Sequence, residues 1–304
     1  MKESRPNNKQ DKTFTVNVPT GLLEFLRESL PGKSRTTVKS YLSHRQVLVG
    51  KKPVTRFDYA LKPGEVVIIR LGGRKEQDHY QGLSILYEDK QLVVISKDSG
   101  LLSIATEKEK AITAYNILSF HVKKANPANR IFVIHRLDKD ASGVMVFAKS
   151  EEVQQQMQKE WQEAVTERVY SVLVEGEPDQ KEGTVTSWLK ENKALVMYSS
   201  PEPGDGLKAV THYRLVRTNG LFSLLDVELE TGRKNQIRVH MKDLGHPIAG
   251  DKKYGSKQDP LGRLALHARL LGFRHPVLQT EMTFEAPVPK KFASLAAKSA
   301  SEKK

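Results

Sequence analysis

The sequence predicts an α+β protein of two domains, with a small basic α+β domain followed by a larger one built on a mixed, mostly antiparallel sheet. Two observations predict this fold. Short runs rich in β-branched and aromatic residues follow one another between turns from residue 83 to residue 290, which favours antiparallel strands over regularly alternating strands and helices. Residues 1–77 also hold 16 Lys and Arg against 7 Asp and Glu, a net charge of +9 out of +13 for the chain.

This charge distribution indicates the kind of partner. A basic amino-terminal module on a more nearly neutral body is typical of an enzyme that docks on nucleic acid. The chain has no cysteine, which excludes disulfides and thiolate metal sites. Its polar start lacks the apolar core of a signal sequence, so we expect a cytoplasmic protein. No apolar run approaches the length needed to span a membrane, so we expect no membrane partner.

The predicted domain boundaries follow from composition. Residues 13–72 form the small domain, residues 73–82 form a polar, Gly-rich linker, and residues 83–290 form the large domain. Residues 1–12 and 291–304 are expected to be disordered tails, and the pattern after Lys290 is that of a frayed helix.

The small domain is predicted to contain two helices and a hairpin. Leucine and Phe side chains in residues 22–30 have helical spacing, and a Pro-Gly pair ends that helix. A second helix is capped by Ser34 and carries Val38, Tyr41 and Leu42. A tight strand turn over residues 47–54 and a closing strand over residues 66–69 complete the domain.

The large domain is predicted to alternate strands with a few helices. The pattern indicates a strand, turn and strand over residues 85–97, a helix over 113–121 and an amphipathic helix over 153–163. Strands follow over residues 168–176 and repeatedly between residues 183 and 229.

The chain is organised around His135 to Gly143, a charged segment between the apolar runs 131–134 and 144–148. Asp138 therefore lies in a short loop between two predicted strands. A carboxylate in such a place is most simply a turn residue that bonds its own backbone. If the loop is buried, the carboxylate needs a cation from elsewhere.

The best source of that cation is the segment from Thr231 to His240. A Thr-Gly turn there precedes a strand-like alternating run that contains two arginines and a glutamine. An Asp in a loop, paired with an Arg about a hundred residues later, is a candidate active site.

Both segments resemble the RluA family of pseudouridine synthases. His-Arg-Leu-Asp, a basic residue, Asp, a small residue and Ser-Gly before an apolar strand match the family's central motif at residues 135–150. Thr-Gly-Arg followed by Gln-Ile-Arg and a nearby His matches its second signature at residues 231–240. The resemblance runs from about residue 83 to residue 289. The small domain resembles an RNA-binding module first recognised in a small-subunit ribosomal protein, here called S4-like.

The resemblance implies roles for five residues. Asp138 is the catalytic carboxylate, acting as the nucleophile at the sugar or as the base that starts glycal formation. Arg238 forms a salt bridge with it, and Tyr170 stacks on the uracil and can assist removal of the proton at carbon 5. Arg136 fills the space left by a flipped base, and His135 orients the loop.

Further residues are implied to bind the substrate or the surrounding RNA. Lys97, retained from the family's first motif, is one of them. Arg233 and Gln236 face RNA or brace the loop. Asn235 stands where the family usually has His, and its amide can still donate and accept hydrogen bonds. In the S4-like module the cations implied to contact RNA are Arg35, Lys39, Arg45, Lys51 and Lys52.

Conversion of uridine to pseudouridine requires neither a cofactor nor a metal, and the sequence shows no metal-ligand cluster. We therefore expect a monomeric RNA pseudouridine synthase, acting on large-subunit ribosomal RNA. The alternatives are a synthase for transfer RNA and a non-catalytic RNA-binding or ribosome-assembly factor. A carboxylate hydrolase would need a second catalytic carboxylate, and the only near neighbour, Asp140, is better interpreted as a loop residue.

Overall fold

The computed structural model divides into two compact units, Met1–His79 and Tyr80–Lys304. The described residues are 12–33, 38, 41–42, 47–50, 52–54, 58–69, 79–105 and 112–297.

The first unit joins a short helix to a small antiparallel sheet. Its sheet has the order β1-β6-β3-β4, and a second pair of strands joins β2 to β5. The apolar face of helix α1 buries Leu22 and Leu26 in one core with Val38 and Leu42, which are also helical. The first predicted helix, the tight strand turn and the closing strand are therefore confirmed. The elements are β1 (Lys12–Thr15), β2 (Thr20–Gly21), α1 (Leu22–Ser29), β3 (Val47–Val49), β4 (Lys52–Pro53), β5 (Ala60–Leu61) and β6 (Val66–Ile69).

The second unit is built on a twelve-stranded sheet of order β14-β13-β15-β16-β12-β17-β11-β9-β8-β7, with β10 on β11 and β18 on β17. Most neighbours run antiparallel, which confirms the prediction of a mixed, mostly antiparallel sheet. The strands are β7 (His79–Tyr80), β8 (Leu83–Glu88), β9 (Leu92–Lys97), β10 (Phe132–Val133), β11 (Ser142–Ala148), β12 (Val165–Glu175), β13 (Glu182–Glu191), β14 (Met197–Ser200), β15 (Leu207–Thr218), β16 (Phe222–Leu229), β17 (Leu266–Arg274) and β18 (Glu281–Glu285).

Short helices flank this sheet, and side-chain caps explain where two of them begin. Thr113 accepts a hydrogen bond from the backbone of Asn116, whose side chain returns the contact, and Ser150 caps the next helix through the backbone of Val153. No helix among the described residues is long and apolar enough to cross a membrane. The helices are α2 (Ala114–Ala125), α3 (Glu151–Lys159), α4 (Trp161–Ala164), α5 (Gln236–Asp243) and α6 (Lys290–Leu295).

One parallel contact positions the loop that contains Asp138. Strand β11 pairs with β17 in parallel through Gly143 and Ala268, and β12 pairs with the other edge of β17 through Tyr170. Gly143 has φ +118°, and a Cβ there would lie 2.1 Å from the carbonyl oxygen of Ala268. Because only glycine permits this approach, it brings the loop before β11 within two strands of Tyr170.

The segment predicted as an alternating strand after Thr231 is instead helix α5. The prediction was wrong because Ile237, Val239 and Met241 alternate in sequence, whereas the helix is buried on two sides. Ile237 and Met241 pack in the main core, and Val239 packs in a separate cluster with Tyr254. In the structure the adjacent Gln236 and His240 are buried as well, so the apolar face has helical and not alternating geometry.

The tail from residue 291 has the predicted helix, but it is not disordered over residues 291–297. Helix α6 buries Phe292, whose side chain is 1% exposed, in the main core. The guanidinium of Arg263 lies 5.6 Å from the centre of the Phe292 ring. Lys12, placed by the prediction in the amino-terminal tail, begins β1, and β7 lies inside the predicted linker. The rest of the two predicted tails, residues 1–11 and 298–304, lies outside the described part.

We predict that Phe292→Ala lowers the free energy of unfolding of the second unit by about 3–5 kcal/mol, because it empties a filled core position. Urea unfolding followed by tryptophan fluorescence measures this, since both tryptophans of the chain lie in that unit. Lys291→Ala, on the exposed side of α6, is the control and should change stability by less than about 0.5 kcal/mol. Equal unfolding midpoints for the two variants would contradict the packing of α6.

Candidate active site

The loop before β11 is fixed by contacts to its backbone from the segment 97–103. The Ser103 hydroxyl donates to the carbonyl oxygen of Leu137 at 2.7 Å and accepts from the amide nitrogen of Leu137 at 3.3 Å. The Ser99 hydroxyl donates to the carbonyl oxygen of Asp140 at 2.7 Å. Since these contacts fix the main chain on both sides of the central carboxylate, only the orientation of that carboxylate is left to its side-chain partners.

Lys97 is the buried centre of this segment. Its ammonium donates to the carbonyl oxygens of Asp98, Leu101 and Lys139 at 2.9, 2.7 and 3.0 Å, so all three of its protons are used. Burial, reinforced by the charge of Arg263, lowers the pKa of Lys97 to about 8. The prediction that Lys97 binds substrate or RNA is therefore wrong. Its side chain is fully buried and anchors the loop instead.

Arg238 connects two carboxylates. From helix α5 its Nε and Nη2 atoms donate to Asp251 at 2.7 Å each, and its Nη1 atom donates to Asp138 at 3.2 Å. The Asp251 side chain is 1% exposed, whereas that of Asp138 is 32% exposed and open to a ligand. Burial alone would lower the pKa of Arg238, but the bonds and charges of both carboxylates raise it above its usual value. Arg238 therefore stays cationic, with one N–H group aimed at Asp138.

Asn235 supports this arrangement from the start of α5. Its backbone is left-handed, with φ +55°, a conformation that Asn adopts more readily than most residues. Its amide donates to the hydroxyl of Tyr254 at 3.0 Å, and the Tyr254 ring lies 4.8 Å from the Arg238 guanidinium. Asn235 thus both begins the helix and orders its surroundings.

Gln236 braces the turn that precedes α5. It is 2% exposed, and its carbonyl oxygen accepts from the hydroxyl of Thr231 and the amide nitrogen of Arg233. Its amide donates to the carbonyl oxygen of Val210 and the hydroxyl of Thr211. Of the two roles left open by the sequence, contact with RNA is therefore excluded for Gln236, because its hydrogen-bonding atoms are occupied within the protein. Arg233, half-buried, remains available at the rim.

His135 has an internal partner, in line with the prediction that it orients the loop. Its Nε2 atom accepts a hydrogen bond from the backbone nitrogen of Val146 at 3.1 Å, and its ring packs 4.8 Å from that of Trp161. Burial and the charge of Arg168 lower the pKa of His135 to about 3, so the imidazole is neutral. Arg136, the next residue, is exposed.

The three residues predicted to be catalytic line one cavity of about 100 Å³. Asp138 enters it from the loop, Arg238 from α5, and Tyr170 from β12. A carboxylate held by a cation beside an aromatic ring suits a ligand with a planar group that stacks on the ring and a reacting atom next to the carboxylate. The cavity is completed by Arg136, Leu137, Ala141, Arg168, Leu229, Gly232, Arg233, Asn235, Gln236, Ile237 and Leu266. Among the described residues no three acidic or His side chains are grouped to hold a metal ion.

The predicted contacts of the small domain with RNA are not tested by this geometry. Arg35, Lys39, Arg45 and Lys51 lie outside the described residues. Lys52 lies in β4, of which only the backbone is described. These five residues stay predictions.

Sequence reasoning missed Asp251, Arg168 and Ser103. Arg168 could have been found because it precedes Tyr170 by two positions on a strand and so points to the same face. Asp251 follows the sequence His-Pro-Ile-Ala-Gly, which is typical of an exposed turn, so nothing local indicated that the Asp251 side chain is buried. The partnership between Ser103 and Leu137 spans 34 positions and has no local signal.

Comparisons with known proteins agree with this geometry. A family model described as RNA pseudouridylate synthase matches residues 91–243, half of the chain, and an S4 domain model matches residues 20–67.

Relatives match over nearly the whole chain. A Bacillus subtilis (strain 168) protein described as an uncharacterized RNA pseudouridine synthase is 32% identical over 93% of this chain and 92% of its own length. The ribosomal large subunit pseudouridine synthase D of Neisseria meningitidis serogroup B (strain MC58) is 30% identical over 94% of this chain and 80% of its own length. Among solved structures, human RNA pseudouridylate synthase domain containing 4 is 26% identical, with a TM-score of 0.56, over 69% of this chain and 90% of that chain.

We predict that Lys97 gives folding stability a distinctive pH dependence. Below pH 8 the folded chain bears the full penalty of burying the ammonium. Between pH 8 and about 10.5 the folded state releases this proton while the unfolded chain retains it, so the free energy of unfolding rises with pH. The rise is about 3 kcal/mol.

Urea unfolding at several pH values measures this contribution as the difference between the wild type and Lys97→Met, in which it is absent. Lys90→Met, on an exposed lysine, is the matched control and should follow the wild type. Parallel pH profiles for the wild type and Lys97→Met would show that the buried ammonium does not titrate in this range.

Proposed function

The chain belongs to the RNA pseudouridine synthase family, and from that premise we propose that it isomerises specific uridines of large-subunit ribosomal RNA to pseudouridine, with Asp138 as the reacting carboxylate. The observation that carries the proposal is the convergence of Asp138, Arg238 and Tyr170 on one cavity. We further propose that it acts as a monomer in the cytoplasm, where a chain without cysteine has no disulfides to maintain.

The reaction breaks the bond from ribose carbon 1 to the ring nitrogen, turns the uracil, and joins the same sugar carbon to ring carbon 5. Carbon 5 then loses its proton and the released ring nitrogen gains one, so the net change is an isomerisation without a redox step. Asp138 acts as the nucleophile at the sugar or as the base that starts glycal formation. Either role needs an ionic carboxylate with one open face, and the single contact from Arg238 supports this arrangement.

Tyr170 is the proposed platform for the released uracil. Its ring lies on the wall of the cavity from the central strand β12, where backbone pairing on both sides fixes its position. The loose base must be held while it turns, because escape would leave an abasic site. A rigid aromatic wall serves this purpose without restricting rotation in the plane of the ring.

A uridine stacked in RNA cannot reach Asp138, so the nucleotide must be flipped into the cavity at a cost of a few kcal/mol. Arg136 is the proposed residue that fills the vacated space, and its exposure at the mouth of the cavity supports that role. Arg233, which lines the same cavity, is proposed to contact the RNA backbone.

Ribosomal RNA is the proposed target for two reasons. The basic amino-terminal unit matches an S4 domain, which favours a large structured RNA, and one relative over nearly the whole chain is named for the large ribosomal subunit. Arg35, Lys39, Arg45, Lys51 and Lys52 are the proposed cations of that unit.

We predict that Asp138→Asn abolishes isomerisation while leaving RNA affinity within a few-fold of the wild type, because the amide keeps the shape but cannot attack or accept a proton. Release of tritium from ribosomal RNA labelled at uracil carbon 5 measures the reaction. Asp140→Asn is the matched control, since this exposed carboxylate in the same loop has no ion-pair partner among the described residues. Undiminished release by Asp138→Asn would contradict the assignment, and loss in both variants would favour two-carboxylate chemistry.

The target is identified by mapping pseudouridine in the ribosomal and transfer RNA of cells that carry the wild type, a deletion or Asp138→Asn. A large-subunit position lost in both altered strains supports the proposal. A lost transfer RNA position would replace the proposed substrate, and no lost position would favour a non-catalytic RNA-binding factor.

A further inference from the structure

A second cleft adjoins the catalytic cavity. It measures about 550 Å³ and lies between the end of α3, helix α4, the first half of β12 and the turn after β16. The two spaces share Arg136, Arg168 and Arg233, together with Leu229 and Gly232. These shared residues form a wall with the catalytic cavity on one side and the cleft on the other.

The three arginines of this wall have no acidic partner. Among the described residues neither Arg136 nor Arg168 forms an ion pair, and the guanidinium of Arg233 donates only to the carbonyl oxygen of Lys208. Most buried or half-buried arginines are paired, as Arg238 is with Asp251. Arg168 and Arg233 are both half-buried. Two such unpaired guanidiniums facing two adjoining spaces are suited to one anionic group between them, and a phosphodiester fits because guanidinium binds phosphate oxygens in pairs.

The far side of the cleft is suited to a base. Trp161 is half-buried there, and the guanidinium of Arg168 lies 5.8 Å from the centre of its ring. The neutral His135 ring packs against the same indole. The carboxylates of Glu163, Glu167, Glu228 and Glu230 also line this cleft. They disfavour a second phosphate and can accept hydrogen bonds from a base edge.

We propose that this cleft is a subsite for the nucleotide next to the target uridine. The phosphate that joins the two nucleotides lies on Arg168 and Arg233 in this wall, which places the uridine beside Asp138 and the neighbouring base against Trp161. Arg136, at the exposed end of the wall, is left to fill the space vacated in the RNA stack. The inference rests on the proposed function and adds that two adjacent nucleotides leave the RNA stack together. The reacting uridine is thereby selected partly through its neighbour.

Gly232 provides a probe that leaves every charge in place. A Cβ at this residue would lie 2.7 Å from the Nη1 atom of Arg168. Since that atom is the end of a flexible side chain, Gly232→Ala displaces the guanidinium from the wall without removing it. The backbone of Gly232 has an ordinary negative-φ or extended conformation, so the substitution brings no left-handed strain.

The first experiment uses Trp161 as its own reporter. In the full-length Trp188→Phe protein Trp161 is the only tryptophan, and a base stacked on it quenches its fluorescence. The probes are RNA heptamers with one central uridine, either intact or with an abasic residue directly 5′, directly 3′ or three positions away. Binding is followed separately by the anisotropy of a labelled copy.

The intact heptamer is expected to quench Trp161, and removal of one particular neighbouring base is expected to abolish the quench and weaken binding about 10-fold. The distant abasic residue should change neither. Quenching that persists both without the 5′ base and without the 3′ base would overturn the subsite. Binding of the intact heptamer without quenching would overturn it as well.

The second experiment keeps the inference testable if heptamers bind too weakly. Trp161→Leu and Gly232→Ala are compared with the wild type for tritium release from labelled ribosomal RNA, with thermal unfolding as the check on folding. Both variants are expected to raise KM about 10-fold with kcat within a few-fold, since the chemical groups are intact. An unchanged KM in both would overturn the proposal. Absence of release by the wild type would instead contradict the proposed function, while the fluorescence result would still report on the cleft.

Discussion

The ion pair between Arg238 and Asp251 is the interaction on which the site depends. Both oxygens of the buried Asp251 are bonded at 2.7 Å, and this fixes the guanidinium so that its remaining Nη1 group meets Asp138 at 3.2 Å. Removal of one partner from such a buried pair typically destabilises a protein by about 3–5 kcal/mol. Because Asp251 neutralises Arg238, Asp138 receives one directed hydrogen bond and keeps an open face. If Arg238 donated both of these bonds to Asp138 instead, it would cover the oxygens of the reacting carboxylate.

The loop that carries Asp138 is held in a similar way. Contacts to the backbone fix the loop, so the Asp138 carboxylate is not needed to hold it and stays open to a ligand. Lys97 and Ser103 bind the carbonyl oxygens of the loop from one side. Gly143 lets β11 approach β17 from the other, close to Tyr170. None of these residues needs to touch a substrate. A few exposed atoms therefore perform the chemistry, and a larger set of buried contacts fixes their positions.

The sequence predicted the parts of this arrangement that have local signals. Strand runs, turns and the two motifs around Asp138 and Arg238 are short-range patterns, and they led to the α+β fold and to the pairing of residues a hundred positions apart. The buried partners had no such pattern. Lys97 resembled a surface cation because its three carbonyl acceptors come from the folded backbone, and Asp251 could not be distinguished from a turn residue. Helix α5 was mistaken for a strand because it is buried on two sides, in two separate clusters, and its apolar residues therefore alternate in sequence.

The central claim is that Asp138 functions only while Asp251 fixes Arg238, and the most direct test is the single-turnover rate of uridine isomerisation by Asp251→Asn. The account predicts a rate about 100-fold below the wild type, because a misplaced guanidinium shifts the reacting carboxylate. RNA affinity should stay within a few-fold of the wild type, since Asp251 is buried away from the RNA. A rate within twofold of the wild type, with Asp251→Asn folded, would contradict the account and leave Asp138 positioned by its loop alone.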